Sequence, residues 1–249
     1  MWRGEEKILG VIGGMGPLAT QLFYRQVIDK TEAECDQDHV NMILLNHASM
    51  PDRTQAILSG EGEKVFQLLL ADARWLEENG AAAIAIPCNT SHLFAERLQE
   101  ELEIPLVNMV KEAAAAVAAG PRKVRKVGIL ATDGTVQSGL YQRACQAVGL
   151  EWAVPSPEAQ ALVMKIIYDG IKGGKPIDYN DFIAIEGELA AGGCKGAILA
   201  CTELSVFKEL YHLPDFYTDA METLAERSIE ACGKRVKSSS QETAPGRKV

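Results

Sequence analysis

The sequence lacks the features that would tie it to a membrane or to nucleic acid. No stretch reaches the roughly 18 uninterrupted apolar residues that a membrane-spanning helix needs. Positive charge is in deficit, because 34 acidic residues face 25 basic ones and the formal net charge is -9, which would repel nucleic-acid phosphates. We therefore expect neither a membrane nor a nucleic-acid partner.

The N-terminal segment lacks the pattern of a secretory signal peptide. Its apolar run is short, is broken by glycines from Gly13 onward, and is followed by no small-residue cleavage site. We therefore expect a cytoplasmic protein with reduced cysteines. The six cysteines form no CxxC pair and have no histidine at metal-ligand spacing, so the sequence predicts neither disulfides nor a metal site.

The sequence is rich in short apolar runs that alternate with helical patterns. A chain of 249 residues with 47% hydrophobic residues can build a large core. Helical spacing of apolar residues covers residues 63–79 and the segment after Asp219, a potential cap. This alternation predicts an α/β fold with parallel sheets. The predicted strands are residues 8–12, 41–46, 81–87, 104–109, 126–131, 150–154, 196–200 and 215–218.

Two segments of the chain resemble each other. The first, GVIGGMGPLATQLFYRQ, places Gly10 and Gly16 six residues apart, and the second, GILATDGTVQSGLYQRA, repeats that spacing at Gly128 and Gly134. This similarity indicates a duplicated lobe. A chance likeness between common strand-helix units is the alternative.

A cysteine occupies the same place in each half. Cys88 lies eight residues after Gly80, and Cys201 lies eight residues after Gly193, in each case at the end of an apolar strand. The interval from the opening glycine to the cysteine is 78 residues in the first half and 73 in the second. Ligand sites of α/β proteins form at the carboxyl ends of parallel strands, so the two thiols are expected in one site.

The duplication predicts two similar Rossmann-like α/β lobes with parallel sheets, related by a pseudo-twofold axis, with the active site in the cleft between them. Residues 1–112 together with 214–236 would form the first lobe and a C-terminal helix, and residues 113–213 the second lobe. Residues 237–249 are polar, which predicts a disordered tail.

Two equivalent thiols on opposite walls suit the transfer of a proton from one face of a carbon atom to the other. Such a reaction needs one acid/base group on each face, and a thiol and a thiolate can exchange these roles. With each sulfur about 3–3.5 Å from the reacting carbon, the two would be roughly 6–7 Å apart, which is too far for a disulfide. The pair therefore predicts racemisation of an amino acid at its α-carbon.

Polar residues follow each cysteine. Asn89 and Thr90 follow the first, and Thr202 and Glu203 follow the second. At helix starts these residues would place free N–H groups near a thiolate and near the substrate α-carboxylate; ordinary helix capping is the alternative. His92, about one helical turn past the first cysteine, would either tune the thiol or be a buried histidine without that role.

The glycine-rich loop permits a competing hypothesis. Gly14, Gly16 and Ala19 match the GxGxxA pattern that binds dinucleotides after a strand. A dinucleotide site also needs an acidic residue at the end of the next strand, where this sequence has Asn46. The pattern therefore favours glycines that let the backbone approach a small ligand.

Six motifs occur in order along the chain: GVIGGMGPLAT, PDRT, PCNTSH, GILATDGT, YDGIKGG and ACTELS. Together they resemble the PLP-independent aspartate/glutamate racemase family, and most closely its aspartate racemase branch. The resemblance covers about residues 7–235. It implies a homodimer, no cofactor, an amino-acid substrate, and catalysis by the two cysteines Cys88 and Cys201.

The resemblance also suggests roles for two cations. Arg53 and Lys172 would hold the acidic side chain of aspartate or favour a thiolate, because a guanidinium can bind a carboxylate through two hydrogen bonds. Glutamate or a broader range of amino acids is the alternative substrate. Another isomerase or lyase reaction, or amino-acid binding without catalysis, is the alternative function. The predicted substrate-binding residues are Met15, Asn46, Arg53, Asn89, Thr90, Thr132, Thr135, Lys172, Thr202 and Glu203.

Overall fold

Two parallel sheets, one from each half of the chain, form the framework of the protein. The computed structural model describes residues 6–214 and 216–238. The first sheet has the strand order β2-β1-β3, with β1 at Ile8–Gly13, β2 at Asn41–Asn46 and β3 at Ala81–Ala85. The second has the order β5-β4-β6-β7, with β4 at Lys126–Leu130, β5 at Glu151–Ala153, β6 at Ala197–Leu199 and β7 at Tyr217–Asp219. The prediction of an α/β fold with two parallel sheets is confirmed.

Helices fill the intervals between the strands. No helix in residues 6–214 and 216–238 is both long enough and apolar enough to cross a membrane. Two short 3-10 helices, Asp36–Asp38 and Thr90–Phe94, and a π-helical segment, Ile166–Lys172, complete the elements. The α-helices are α1 Pro17–Lys30, α2 Arg53–Leu58, α3 Gly62–Glu78, α4 Ala95–Glu100, α5 Met109–Ala119, α6 Asp133–Ser138, α7 Leu140–Ala147, α8 Pro157–Lys165, α9 Tyr179–Ala191, α10 Thr202–Tyr211 and α11 Ala220–Ala231.

The strand order repeats between the halves, as the duplicated sequence pattern predicts. In the first sheet β1 is central, with β2 on one side and β3 on the other; β4 is central in the same way, between β5 and β6. All of these pairs are parallel. The segments that carry Cys88 and Cys201 follow β3 and β6, which therefore occupy equivalent positions beside the two central strands.

The strand predicted at residues 104–109 is wrong. Only Leu106 forms an isolated parallel bridge, to Ile84, with hydrogen bonds from Ile84 N–H to Pro105 and from Val107 N–H to Ile84. Pro105 has no N–H to donate, and the side chain of Asn108 caps the start of α5, which stops the strand after one bridge. This segment occupies the place beside β3 that β7 occupies beside β6.

The C-terminal segment belongs to both halves. The sequence predicts residues 214–236 in the first lobe, but β7 pairs with β6 of the second sheet. After β7 the chain turns at Asp219, whose side chain accepts a hydrogen bond from Met221 N–H and so caps α11. Helix α11 then packs on α1 and α5, beside the first sheet. The predicted disordered tail lies, from residue 239 onward, outside the described residues.

The glycine-rich loop after β1 is tightly packed. The Gly14 N–H donates to the Thr20 hydroxyl, and a Cβ on Gly13 would lie 2.3 Å from the Thr20 side chain. Gly14 has a φ of +90°, and a Cβ there would lie 2.6 Å from the main chain of His47. The glycines at these two positions therefore make room for the Thr20 side chain and the His47 main chain.

Replacing Gly14 with alanine tests this packing. Gly80 is a matched control, because it has a φ of +93° but a Cβ on it would have no described atom within 4 Å. We expect both substitutions to lower the free energy of unfolding by about 1–2 kcal/mol through backbone strain. Gly14→Ala should lose roughly 1–3 kcal/mol more through overpacking. Urea unfolding followed by circular dichroism measures both losses, and equal losses would contradict the close packing at Gly14.

Candidate active site

Cys88 and Cys201 line one narrow cavity where the two halves of the protein meet. Both are free cysteines and both are buried. The cavity volume is about 10 Å³, close to the minimum that one water molecule requires. Both thiols are therefore brought to the same enclosed space. The lining residues are Met15, Asp52, Arg53, Thr54, Cys88, Asn89, Thr90, Thr132, Tyr168, Lys172, Cys201, Thr202 and Glu203.

Two hydrogen bonds fix the main chain of Cys88. Its N–H donates to the carbonyl of Ile86 at 2.7 Å, and its carbonyl lies 2.9 Å from Nδ1 of His92. The Nε2 atom of His92 accepts a hydrogen bond from Met109 N–H, so Nδ1 carries the ring proton and donates to the Cys88 carbonyl. Burial lowers the pKa of His92, which keeps the ring neutral. His92 therefore fixes the main chain of Cys88 and does not bond its thiol.

Cys201 stands at the start of α10, with its thiol directed at a carboxylate. Its Sγ donates to Oε2 of Glu203 at 3.0 Å. Burial raises the pKa of Cys201 well above its ordinary value, and the charge and hydrogen bond of Glu203 raise it further, against an opposing effect of Lys172. This arrangement favours the protonated thiol at Cys201.

Arg53 stands beside the other thiol. Its Nη2 donates to the carbonyl of Met15 at 3.0 Å and its Nη1 to that of Pro51 at 2.9 Å. Burial acts to lower the pKa of Arg53, but the charge of Cys88 and a hydrogen bond to it raise the pKa overall. Because two arms of the guanidinium already bond carbonyls, Arg53 is better placed to stabilise negative charge on Cys88 than to grip a carboxylate with both arms.

Lys172 reaches the cavity from the end of the π-helical segment. Its Nζ lies 3.6 Å from Oε1 of Glu203 and 3.9 Å from Oδ2 of Asp52. It also lies 4.9 Å from the ring centre of Tyr168, whose hydroxyl donates to Asp52. Burial acts to lower the pKa of Lys172, but the charges of Glu203 and Cys201 raise it overall. Lys172 therefore stays charged at neutral pH.

Four buried threonine hydroxyls join the lobes beside the thiols. Thr54 and Thr90 come from the first half of the chain, and Thr132 and Thr135 from the second. Thr132 lies 3.1 Å from Thr54 and 3.2 Å from Thr90, and Thr90 lies 2.9 Å from Thr135, measured between hydroxyl oxygens. The hydroxyls thus supply one another with hydrogen-bond partners across the boundary between the two halves.

Most of the predicted site residues meet at this cavity, but Asn46 and His92 do not. Asn46 ends β2 with an exposed side chain and is absent from the lining. Thr135 reaches the cavity only through its bonds to the lining threonines. Sequence reasoning missed Asp52 and Tyr168, although PDRT and YDGIKGG contain them. Across the described ranges, no group of three or more His, Cys, Asp or Glu side chains could hold a metal ion.

The architecture defines a class of protein: two α/β lobes with one thiol from each half in a shared cavity. Residues 12–226 match the family described as Asp/Glu/Hydantoin racemase. The broad specificity amino-acid racemase RacX of Bacillus subtilis (strain 168) is 30% identical over 148 residues, which are 58% of this chain and 63% of RacX. The matched region is thus less than two thirds of that relative.

Two solved structures match nearly the whole chain. Picrophilus torridus aspartate racemase is 30% identical, with a TM-score of 0.77 over 93% of this chain and 96% of that one. An aspartate racemase homologue from Pyrococcus horikoshii OT3 is 28% identical, with a TM-score of 0.73 over 91% of this chain and 99% of that one. The chain belongs to the Asp/Glu/hydantoin racemase family.

Alkylation with iodoacetamide tests whether Glu203 holds the proton on Cys201. Glu203→Gln removes the charge that raises the Cys201 pKa, so we expect Cys201 to be labelled at lower pH in this variant than in the parent. Peptide mass spectrometry across roughly pH 6–10 measures this, in a Cys35→Ser background because Cys35 is exposed. Burial alone raises the pKa of Cys145 to about 11, so its labelling is the control and should not shift. An unchanged Cys201 profile would contradict the assignment.

Proposed function

We propose that the protein is a cofactor-independent amino-acid racemase in which Cys88 and Cys201 act on opposite faces of the substrate α-carbon. The observation that carries the proposal is the pair of free, buried thiols that line one cavity from equivalent positions in the two halves. A protein that only binds an amino acid has no need of a thiol on each wall. Membership of the racemase family supports the same reaction.

The surroundings of the two thiols differ. The Arg53 guanidinium adjoins Cys88, and Glu203 accepts a hydrogen bond from the Cys201 thiol. We propose that in one direction Cys88 is the base that removes the α-proton from one face, while the Cys201 thiol gives its proton to the other face. The thiolate is then on Cys201 and the thiol on Cys88, so the reverse reaction uses the same two groups in exchanged roles.

The developing carbanion needs stabilisation at the substrate α-carboxylate. The first N–H groups of α10 lie directly after Cys201, where a helix offers unpaired donors and the positive end of its dipole. The hydroxyls of Thr90 and Thr132 also line the cavity. These donors favour binding of the substrate carboxylate between the thiols. There they would stabilise the negative charge that forms during proton removal.

The cavity is too small for an amino acid in this closed form. About 10 Å³ holds one water molecule. We propose that the lobes separate to admit the substrate and then close, with the hydrogen bonds among the threonines broken and remade. In the closed state water would be excluded from the thiols and from the carbanion.

Aspartate is the proposed substrate, because Lys172 stays charged in the cavity and can bind a second carboxylate. The names of the two similar structures, an aspartate racemase and its homologue, support this choice. RacX, with its broad specificity, and glutamate racemases, which are also among the relatives, favour the alternatives that a wider range of amino acids or glutamate is used.

The proposal extends to a homodimer in a reducing, cytoplasmic compartment. Large apolar side chains are exposed on α1 and α10, including Leu18, Tyr24 and Leu210, and such a surface suits a partner copy. The mechanism requires reduced thiols, which a reducing compartment maintains. Sedimentation equilibrium of the purified protein measures the oligomeric state.

The decisive experiment is α-proton exchange in D₂O, followed by NMR, with reductant and without added cofactor. The panel is both enantiomers of aspartate, glutamate and alanine. Deuterium in both enantiomers of one amino acid would establish racemisation and identify the substrate. Binding without exchange would favour a non-catalytic amino-acid-binding protein. If there is neither binding nor exchange, another isomerase or lyase substrate is indicated.

Single replacement of either thiol should greatly slow racemisation. We expect Cys88→Ala and Cys201→Ala each to lower the racemisation rate by roughly 10²–10⁴-fold, because each variant lacks the acid/base group on one face. Cys145→Ala is the control, since Cys145 is also buried but does not line the cavity. Polarimetry measures the rate. Substantial racemisation by either cavity variant would exclude the two-thiol mechanism.

Lys172→Met tests the assignment of the second carboxylate. Removing a charged partner should lower kcat/KM for aspartate by roughly 10–100-fold, while alanine, which has no second carboxylate, should change much less. Lys175→Met is the control, because Lys175 lies close to Lys172 in the sequence, is exposed and pairs with Asp169. Equal losses for aspartate and alanine would contradict a role for Lys172 in specificity.

A further inference from the structure

The amide of Asn89 is held at one end and free at the other. Asn89 follows Cys88, lines the cavity and is 3% exposed. Its Oδ1 accepts a hydrogen bond from the hydroxyl of Tyr141. Its Nδ2 is buried and has no hydrogen-bond partner among the described residues. A buried NH₂ group without a partner is unfavourable, so it indicates a ligand that supplies an acceptor.

Tyr141 reaches Asn89 from the other half of the chain. It lies on α7, is fully buried, and packs in the core that also contains Met109 and Val110 of α5. Burial raises its pKa well above the ordinary value, so the hydroxyl keeps its proton and can donate it. Tyr141 does not line the cavity, and can therefore affect a ligand only through another residue.

We propose that Tyr141 is a positioning residue whose hydroxyl fixes the Asn89 amide with its NH₂ group toward the cavity, ready to donate to the substrate carboxylate next to the α-carbon. An amide has an acceptor at one end and donors at the other, so a donor bound at Oδ1 determines which end faces the ligand. The identity of the ligand as a carboxylate rests on the proposed racemisation.

The same hydrogen bond couples the ligand site to the packing of the lobes. Asn89 belongs to the wall that carries Cys88, whereas α7 belongs to the second half. Opening of the lobes as proposed above, if it parts α7 from the wall of Cys88, would remove the partner that fixes the amide, and closure would restore it. The carboxylate donor is thus set in place only in the closed arrangement, where the two thiols share the cavity.

Tyr141→Phe removes the hydroxyl and keeps the ring that packs in the core. We expect kcat/KM for racemisation, and the affinity for DL-aspartate measured by calorimetry, to fall roughly tenfold, as for a weakened hydrogen bond to a charged group. The racemic mixture is used so that turnover does not change the sample. The pH midpoints of kcat/KM should not move, because Tyr141 transfers no proton. Tyr217→Phe is the control, since Tyr217 is a buried tyrosine outside the cavity lining, and it should leave both quantities unchanged.

A double-mutant cycle with Asn89→Ala separates positioning from a general structural effect. If Tyr141 acts through the amide, Tyr141→Phe should cause no further loss in the Asn89→Ala background. Independent losses that multiply would overturn the inference. Parent-like activity and affinity in Tyr141→Phe would overturn it as well, and so would loss of folding in Tyr141→Phe with Tyr217→Phe still folded.

The two measurements distinguish failure of this inference from failure of the proposed function. If the parent protein binds DL-aspartate but exchanges no α-proton, racemisation is wrong, and the binding losses in Tyr141→Phe and the double variant still decide the positioning role. If the parent racemises aspartate and Tyr141→Phe does so equally well, only the positioning role is wrong. A parent that neither binds nor exchanges any member of the panel overturns both.

Discussion

The packing of the two lobes at the carboxyl ends of their sheets is the interaction on which the site depends. Cys88 and Cys201 are 113 residues apart in the sequence, and they share a cavity because α2 and α6 approach each other closely. Gly134 permits that approach, since a Cβ on it would lie 3.0 Å from Cα of Thr54. The threonine hydroxyls then bond one another, so closure does not leave these buried polar groups without partners.

Closure also buries charge, and the charges are arranged to compensate one another. Arg53 is surrounded by main-chain carbonyls and by Cys88, whereas Glu203 lies between the Cys201 thiol and Lys172. Removing such groups from water is unfavourable, and replacing them with apolar residues would often stabilise a fold. Acid/base chemistry explains their presence in the cavity, because a charge beside a thiol changes the pKa of that thiol more strongly where water is scarce.

The sequence was informative where structure is local or repeated. Apolar runs predict nearly all strands, and the repeat predicts that two cysteines occupy equivalent strand ends. The sequence does not predict the structure where contacts with residues distant in the chain determine it. Pro105 interrupts a run that otherwise has the pattern of a strand, and Asn46 ends its strand with an exposed side chain that does not line the cavity. The hydrogen bonds from Tyr168 to Asp52 and from Tyr141 to Asn89 join the two halves, so they form only when the lobes meet and no local pattern predicts them.

The hydrogen bond between Cys201 and Glu203 makes the two walls chemically unequal, although racemisation is a symmetric reaction. Mirror-image amino acids have the same free energy in water, so their equilibrium ratio is one whatever the enzyme does. Detailed balance then requires kcat/KM to be identical for the two enantiomers. On the proposed mechanism, the inequality that Glu203 imposes can appear only in kcat and KM taken separately: the enantiomer that saturates the enzyme at lower concentration must also turn over more slowly.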